Sequence, residues 1–113
     1  MRSGWLLRDG DVICALEMTE SFSERARGLR GRGGCEGGLL LSGGRTAHSA
    51  GVSFPLDVAY LSEQLVVVRV ARLTPWKFSL GRRGVRSVLQ FESGSLERWG
   101  VRIGDQLEIR PVT

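Results

Sequence analysis

The chain has 113 residues, 42% of them apolar, a formal charge of +4 and a sequence pI near 10.0. That length suits one hydrophobic core and excludes separate substrate and cofactor domains, so a single domain over residues 1–113 is expected. No apolar run approaches the roughly 20 residues of a membrane-spanning helix, and the first ten residues reach Asp9-Gly10 too early for a secretory h-region; a soluble, cytoplasmic protein without membrane insertion is expected.

Fifteen of the 16 basic residues are arginine, Lys77 being the exception. They are spread along the chain, densest at 25–32 and 82–86, with no basic tail or recognised nucleic-acid motif. Polyanion adsorption at low salt needs only clustered charge, but no specific nucleic-acid role is expected. Cys14 lies in an apolar run and Cys35 in a glycine-rich loop, so two free thiols are expected. Without a CxxC pair, and with one histidine, the sequence predicts neither a metal nor a cofactor.

In chain order, Trp5-Leu6-Leu7-Arg8 and Val12-Ile13-Cys14-Ala15-Leu16 flank Asp9-Gly10, which tolerates positive φ, and predict an opening hairpin. Thr19 or Ser21 before Glu24, with Phe22, Ala26 and Leu29 at helical spacing, predicts a short helix over roughly 21–28. A glycine-rich loop over 31–38 leads into a strand at Leu39-Leu40-Leu41, and strands follow over 45–49 and 56–61. The turn Ser62-Glu63-Gln64 joins the last of these to the β-branched run 65–73. Thr74-Pro75 ends it, and residues 76–78 and 81–84 read as loop. A strand over 86–91, a helix over 95–99 closed by Gly100, and a final strand over 106–110 stopped by Pro111 complete the chain. The expected fold is mainly β, a compact antiparallel barrel or sandwich of seven to eight short strands with two short helices; Trp5 and Trp99 are assigned to its core.

The glycine-rich loop lacks the GKS or GKT of a P-loop and follows rather than opens a helix, so it reads as a surface loop. His48 is the single imidazole and the natural general base near neutral pH. Asp57 follows nine residues later across a Pro-containing turn, and Ser49 or Ser53 could supply a hydroxyl, although no GxSxG elbow is present. The architectural alternative has Asp57 accepting backbone N–H groups and His48 donating to a carbonyl. Arg25, Arg27 and Arg32 could clamp a carboxylate or phosphate, or form a solvated helix face. Trp76, beside Lys77 and Phe78, reads as a lid over the barrel end, or alternatively as an exposed contact for a partner or ring-bearing ligand.

In order along the chain stand Glu24-Arg25-Ala26-Arg27-Gly28-Leu29-Arg30-Gly31-Arg32, Gly38-Leu39-Leu40-Leu41, His48-Ser49, Phe54-Pro55-Leu56-Asp57-Val58-Ala59-Tyr60-Leu61, Pro75-Trp76, Val88-Leu89-Gln90-Phe91 and Gly104-Asp105. This succession, from about Glu20 to Ile109, resembles a bacterial and archaeal family known as domain of unknown function 192, or uncharacterised protein family 0127. It is similar to the subgroup with a His-Thr-Phe-Gly-Met stretch before a Pro-Ile-Asp element: His48, Gly51, Pro55 and Asp57 match, and Ser49, Ala50 and Val52 depart. The resemblance implies a small β-rich fold and no agreed substrate; relatives near pilus and secretion systems imply an accessory role. The leading expectation is a binding module for an unknown small molecule or protein partner, with His48, Asp57, Arg27, Arg32 and Trp76 as ligand contacts. The alternatives are an accessory protein of a pilus or secretion system, and a small hydrolase with His48 as base and Asp57 and Ser49 as its companions.

Overall fold

Asp9 and Gly10 both take positive φ (54° and 83°) in the computed structural model, which describes residues 2–19, 37–49 and 51–112. Two left-handed residues make the tight turn whose twist matches that of the flanking strands. It joins β1 (Arg2–Arg8) to β2 (Asp11–Met18) with Arg8 opposite Asp11. A bulge between Leu6 and Leu7 lets both side chains be buried.

The other strands are β3 (Gly38–Ser42), β4 (Thr46–His48), β5 (Leu56–Ser62), β6 (Val67–Leu73), β7 (Phe78–Leu80), β8 (Val85–Glu92) and β9 (Glu108–Pro111). One short helix, α1 (Ser95–Trp99), lies between β8 and β9. Seven strands form one sheet in the order β6-β5-β8-β3-β2-β1-β9, and β4 pairs with β7 in a separate two-stranded ribbon. The segment entering β6 meets the segment entering β9: Val66 bridges Gln106, Val67 N–H donates to Asp105 O at 2.8 Å, and Leu107 N–H donates to Leu65 O at 2.9 Å.

Strand alternation sorts the core into two layers. Ala59 and Leu61 of β5 face one layer, with Leu6, Leu16, Leu40, Leu89, Phe91 and Leu96. Leu56, Val58 and Tyr60 face the other, with Leu39, Leu41, Ala47, Val52 and Val88. Residues 56–61 of β5 are therefore all buried, because a strand covered on both faces has no solvent side. The β4–β7 ribbon covers the second layer, and the Tyr60 hydroxyl donates to Ser79 Oγ from beneath it. At Gly38 the first layer closes tightly: a Cβ there would lie 2.4 Å from Phe91 Cε1 and 2.8 Å from Leu16 Cδ2.

The mainly β reading holds, as do the opening hairpin, the β5–β6 hairpin and the helix closed by Gly100. Several expectations are corrected. The described residues form nine strands rather than seven or eight, and β2 pairs with β3 in parallel. One helix lies among the described residues; the helix expected at 21–28 falls outside them. Phe78, read as loop, opens strand β7 together with residues 79 and 80, to which no element was assigned: Ser79 is its inward residue while Phe78 and Leu80 point out, the reverse of the pattern that marks a half-buried strand. Pro111 belongs to β9 rather than stopping it, since an edge strand tolerates a missing donor. Trp5 is 45% exposed rather than in the core, because Leu6 and Leu7 take the buried positions at the bulge. Trp99 is half-buried, edge-on to Phe91 with ring centroids 5.1 Å apart.

Candidate functional site

Asp57 departs from its strand neighbours in chemistry and direction. Leu56 and Val58 pack into the ribbon-covered layer, so alternation turns Asp57 to the opposite face, toward α1. The helix begins after Gly94, which has no side chain to satisfy its first N–H groups. Asp57 supplies what is missing: Oδ2 accepts from Gly94 N–H at 3.0 Å and from Leu96 N–H at 3.1 Å. Its other oxygen, Oδ1, lies 3.5 Å from Nε of Arg72, its cross-strand partner on β6. The carboxylate is almost wholly buried while Arg72 is 61% exposed, so the backbone bonds dominate and the ion pair is weak.

The opposite end of α1 is held in a corresponding way. Arg8 of β1 donates to Trp99 O at 2.8 Å and Gly100 O at 2.9 Å, and pairs with Asp105 at 3.2 Å. A cation on the last carbonyls complements the helix dipole as the Asp57 anion does at the first amides. Two remote side chains thus hold a five-residue helix against the sheet.

Between α1 and β6 lies an open cleft of about 470 Å³. Val70, Ala71, Leu96 and Val101 supply its apolar lining; Asp57, Arg72 and Glu97 supply its polar groups. An exposed guanidinium beside an apolar wall is suited to a small molecule with an anionic group and an apolar body.

His48 is half-buried on β4, opposite Phe78 in the ribbon, on the other face of the sheet from Asp57. The structure does not bring the two together. Ser49 is fully buried, and its hydroxyl works on the 74–77 turn: Oγ donates to Thr74 O at 2.7 Å and accepts from Lys77 N–H at 2.8 Å. Ser49 O also accepts from Trp76 N–H at 3.1 Å. Ser53 is exposed. Trp76, expected as a lid, is instead 73% exposed with φ 63°, because the turn pinned by Ser49 holds it outward. Arg25, Arg27, Arg32 and Cys35 lie outside the described residues; Cys14 is half-buried and packs against the first core layer. Among the described residues no three His, Cys, Asp or Glu side chains gather as metal ligands, and no helix is long and apolar enough to cross a membrane.

Arg72 and Arg8 are the site residues that sequence reasoning missed. Pairing back from the expected turn at 62–64 would set Asp57 against Arg69; a longer turn and a register shift at Tyr60/Leu61 set it against Arg72 instead. Nothing local marks Arg8, whose partners are more than ninety positions away.

Comparison with known proteins agrees with this architecture. A protein of unknown function from Novosphingobium aromaticivorans superposes with a TM-score of 0.76 at 20% identity, over 96% of this chain and 84% of that one. A protein from Sinorhizobium meliloti, proposed to be a transcription regulator, superposes with a TM-score of 0.81 at 22% identity, over 96% and 92%. At such identities the likeness is one of fold. A UPF0127 protein of Pyrococcus furiosus is 29% identical over 63 residues, which are 56% of this chain and 54% of that protein, so the match spans about half of the relative's length. The profile of the DUF192 family, uncharacterised proteins of unassigned activity, matches residues 6–109, and the chain belongs to that family.

Proposed function

We propose that the protein is a binding module without catalytic machinery of its own, and that its ligand is a small molecule with an apolar body and an anionic group, taken in the cleft between β6 and α1. The observation that carries this reading is the placement of Arg72. Its guanidinium stands at an apolar-lined cleft, with Nε 3.5 Å from a carboxylate that is itself fastened to the α1 backbone. A guanidinium that faces a carboxylate through one nitrogen keeps other N–H donors for an incoming anion. The hydrolase alternative draws no support from the geometry: His48 and Asp57 occupy opposite faces, and the Ser49 hydroxyl is buried in a turn.

The test is a panel of aliphatic and aromatic carboxylates followed by amide chemical shifts. Binders are expected to move Val70, Ala71, Leu96 and Val101 first. Arg72→Gln is expected to weaken them by about tenfold, equivalent to about 1.4 kcal/mol. Native mass spectrometry of protein purified from its own cells, with and without Arg72→Gln, reads the same site on its resident ligand. Binders that leave those four amides unmoved, or bind Arg72→Gln equally well, overturn the reading.

A further inference from the structure

The β4–β7 ribbon, on the far side of the sheet from that cleft, carries a different chemistry. Phe78 and Leu80 point outward from β7, 67% and 46% exposed, and the turn before them holds Trp76 out still further. This row is rigid. Ser49 fastens the Trp76 turn at one end, Ser79 meets the Tyr60 hydroxyl beneath the strand, and Arg69 donates to Leu80 O at 2.6 Å. Exposed large apolar side chains in a fixed row mark a contact surface.

Its electrostatics are one-sided. From Gln64 to Phe91 the sequence holds no aspartate or glutamate and, besides Arg72 at the cleft on the other side, five cations; 37–55 adds Arg45, again with no acid. Lys77 is exposed between the two aromatics. Arg45, Arg82 and Arg83 are exposed around the ribbon's other end, where Gly81 N–H donates to Arg45 O at 2.6 Å and Val85 N–H to Arg82 O at 3.2 Å. Asp57, the acid buried in β5, faces the opposite side of the sheet.

We propose that this ribbon is a peripheral docking surface for an anionic lipid leaflet: Trp76, Phe78 and Leu80 enter the headgroup–acyl boundary, while Lys77, Arg45, Arg82 and Arg83 meet the lipid phosphates. Charge complementarity selects an anionic partner, and the apolar row selects one that is anionic outside and hydrocarbon within. Leu80 favours lipid over a single-stranded nucleic acid, because an aliphatic side chain offers no π-face for a base to stack on. Trp at such a boundary places its ring in the apolar zone and its N–H among polar groups. The surface crosses nothing; it adsorbs.

Sedimentation of the full chain with vesicles of phosphatidylcholine alone, and of phosphatidylcholine with phosphatidylglycerol at about 3:1, tests the proposal. Binding is expected only with the anionic lipid, with a blue shift of tryptophan emission. Arg82→Gln with Arg83→Gln is expected to weaken it by about thirtyfold, since each cation near an anionic surface contributes about fivefold. Trp76→Asn with Phe78→Thr leaves the charge unchanged, suits the local backbone and is expected to weaken binding at least about tenfold and abolish the blue shift. Unchanged thermal melts identify these as surface effects. Absence of binding to anionic vesicles overturns the proposal, and so does wild-type binding by the aromatic variant. Oligothymidylate bound more tightly than vesicles, and lost in that same variant, overturns it in favour of nucleic acid.

Discussion

Replacing Asp57 by alanine removes an anion that accepts two backbone N–H groups, at 3.0 and 3.1 Å, and leaves the Leu96 donor buried and the Gly94 donor half-buried without it. A hydrogen bond to a charged group contributes about 1.5–3 kcal/mol net, so loss of two implies about 3–5 kcal/mol, allowing for partial relaxation of a helix only five residues long. Asparagine keeps one acceptor oxygen and loses the charge, and is expected to cost about 1–2 kcal/mol. Arg72→Ala removes a mostly exposed partner at 3.5 Å and is expected to cost at most about 0.5 kcal/mol. Against a total stability of about 5–15 kcal/mol, Asp57→Ala should consume a large part of the margin. Urea unfolding followed by tryptophan emission reads the order alanine, asparagine, Arg72→Ala, and with a slope of about 1–3 kcal/mol/M the alanine midpoint falls by at least about 1 M. Hydrogen exchange at Gly94 and Leu96 locates the effect, since those amides should lose protection before β8 does. An Asp57→Ala cost below about 1 kcal/mol, or an equal cost for Arg72→Ala, would refute the view that the carboxylate is chiefly a helix anchor.

Two further predictions address packing and the exposed turn. Gly38→Ala drives a methyl against Phe91 and Leu16, both fully or almost fully buried, and is expected to cost about 1–3 kcal/mol; a melting temperature equal to wild type would show that the first core layer has slack. Ser49→Ala leaves the Lys77 amide without its 2.8 Å acceptor and is expected to cost about 1–2 kcal/mol and to raise Trp76 side-chain mobility, read from fluorescence anisotropy. No change in anisotropy would mean that the turn stands without Ser49.

Residues whose partners are near in sequence were legible before the structure. The Asp9-Gly10 turn and the β5–β6 hairpin follow from local turn chemistry and β-branched runs, and both formed as expected. Ser95–Trp99 was likewise readable from the glycine that follows it. Strand β7 was not, because its buried residue is a serine bonded to Tyr60 and its exposed ones are apolar, so the alternation that signals a strand is inverted. The parallel pairing of β2 with β3 left no trace in either strand's pattern. At the candidate site, Asp57 was singled out with backbone N–H groups weighed as its partners, but those groups were expected from the turn before it. They come from a helix nearly forty positions later, a distance over which side-chain spacing carries no information.

The pairing of β1 with β9 has a consequence for the order in which the molecule comes into being. Trp5 sits opposite Arg110, and Arg8 reaches Trp99 and Gly100, so the first strand finds its second neighbour about a hundred residues downstream. During synthesis the β1–β2 hairpin emerges early, with one edge waiting for a strand the ribosome has yet to make. Topologies rich in such distant contacts pay their loop-closure entropy before the contacts repay it, and fold in milliseconds to seconds rather than microseconds. A nascent chain stalled before residue 108 would present the β1 edge to its neighbours, so aggregation of truncated chains, rather than loss of activity, is the earliest defect expected from premature termination.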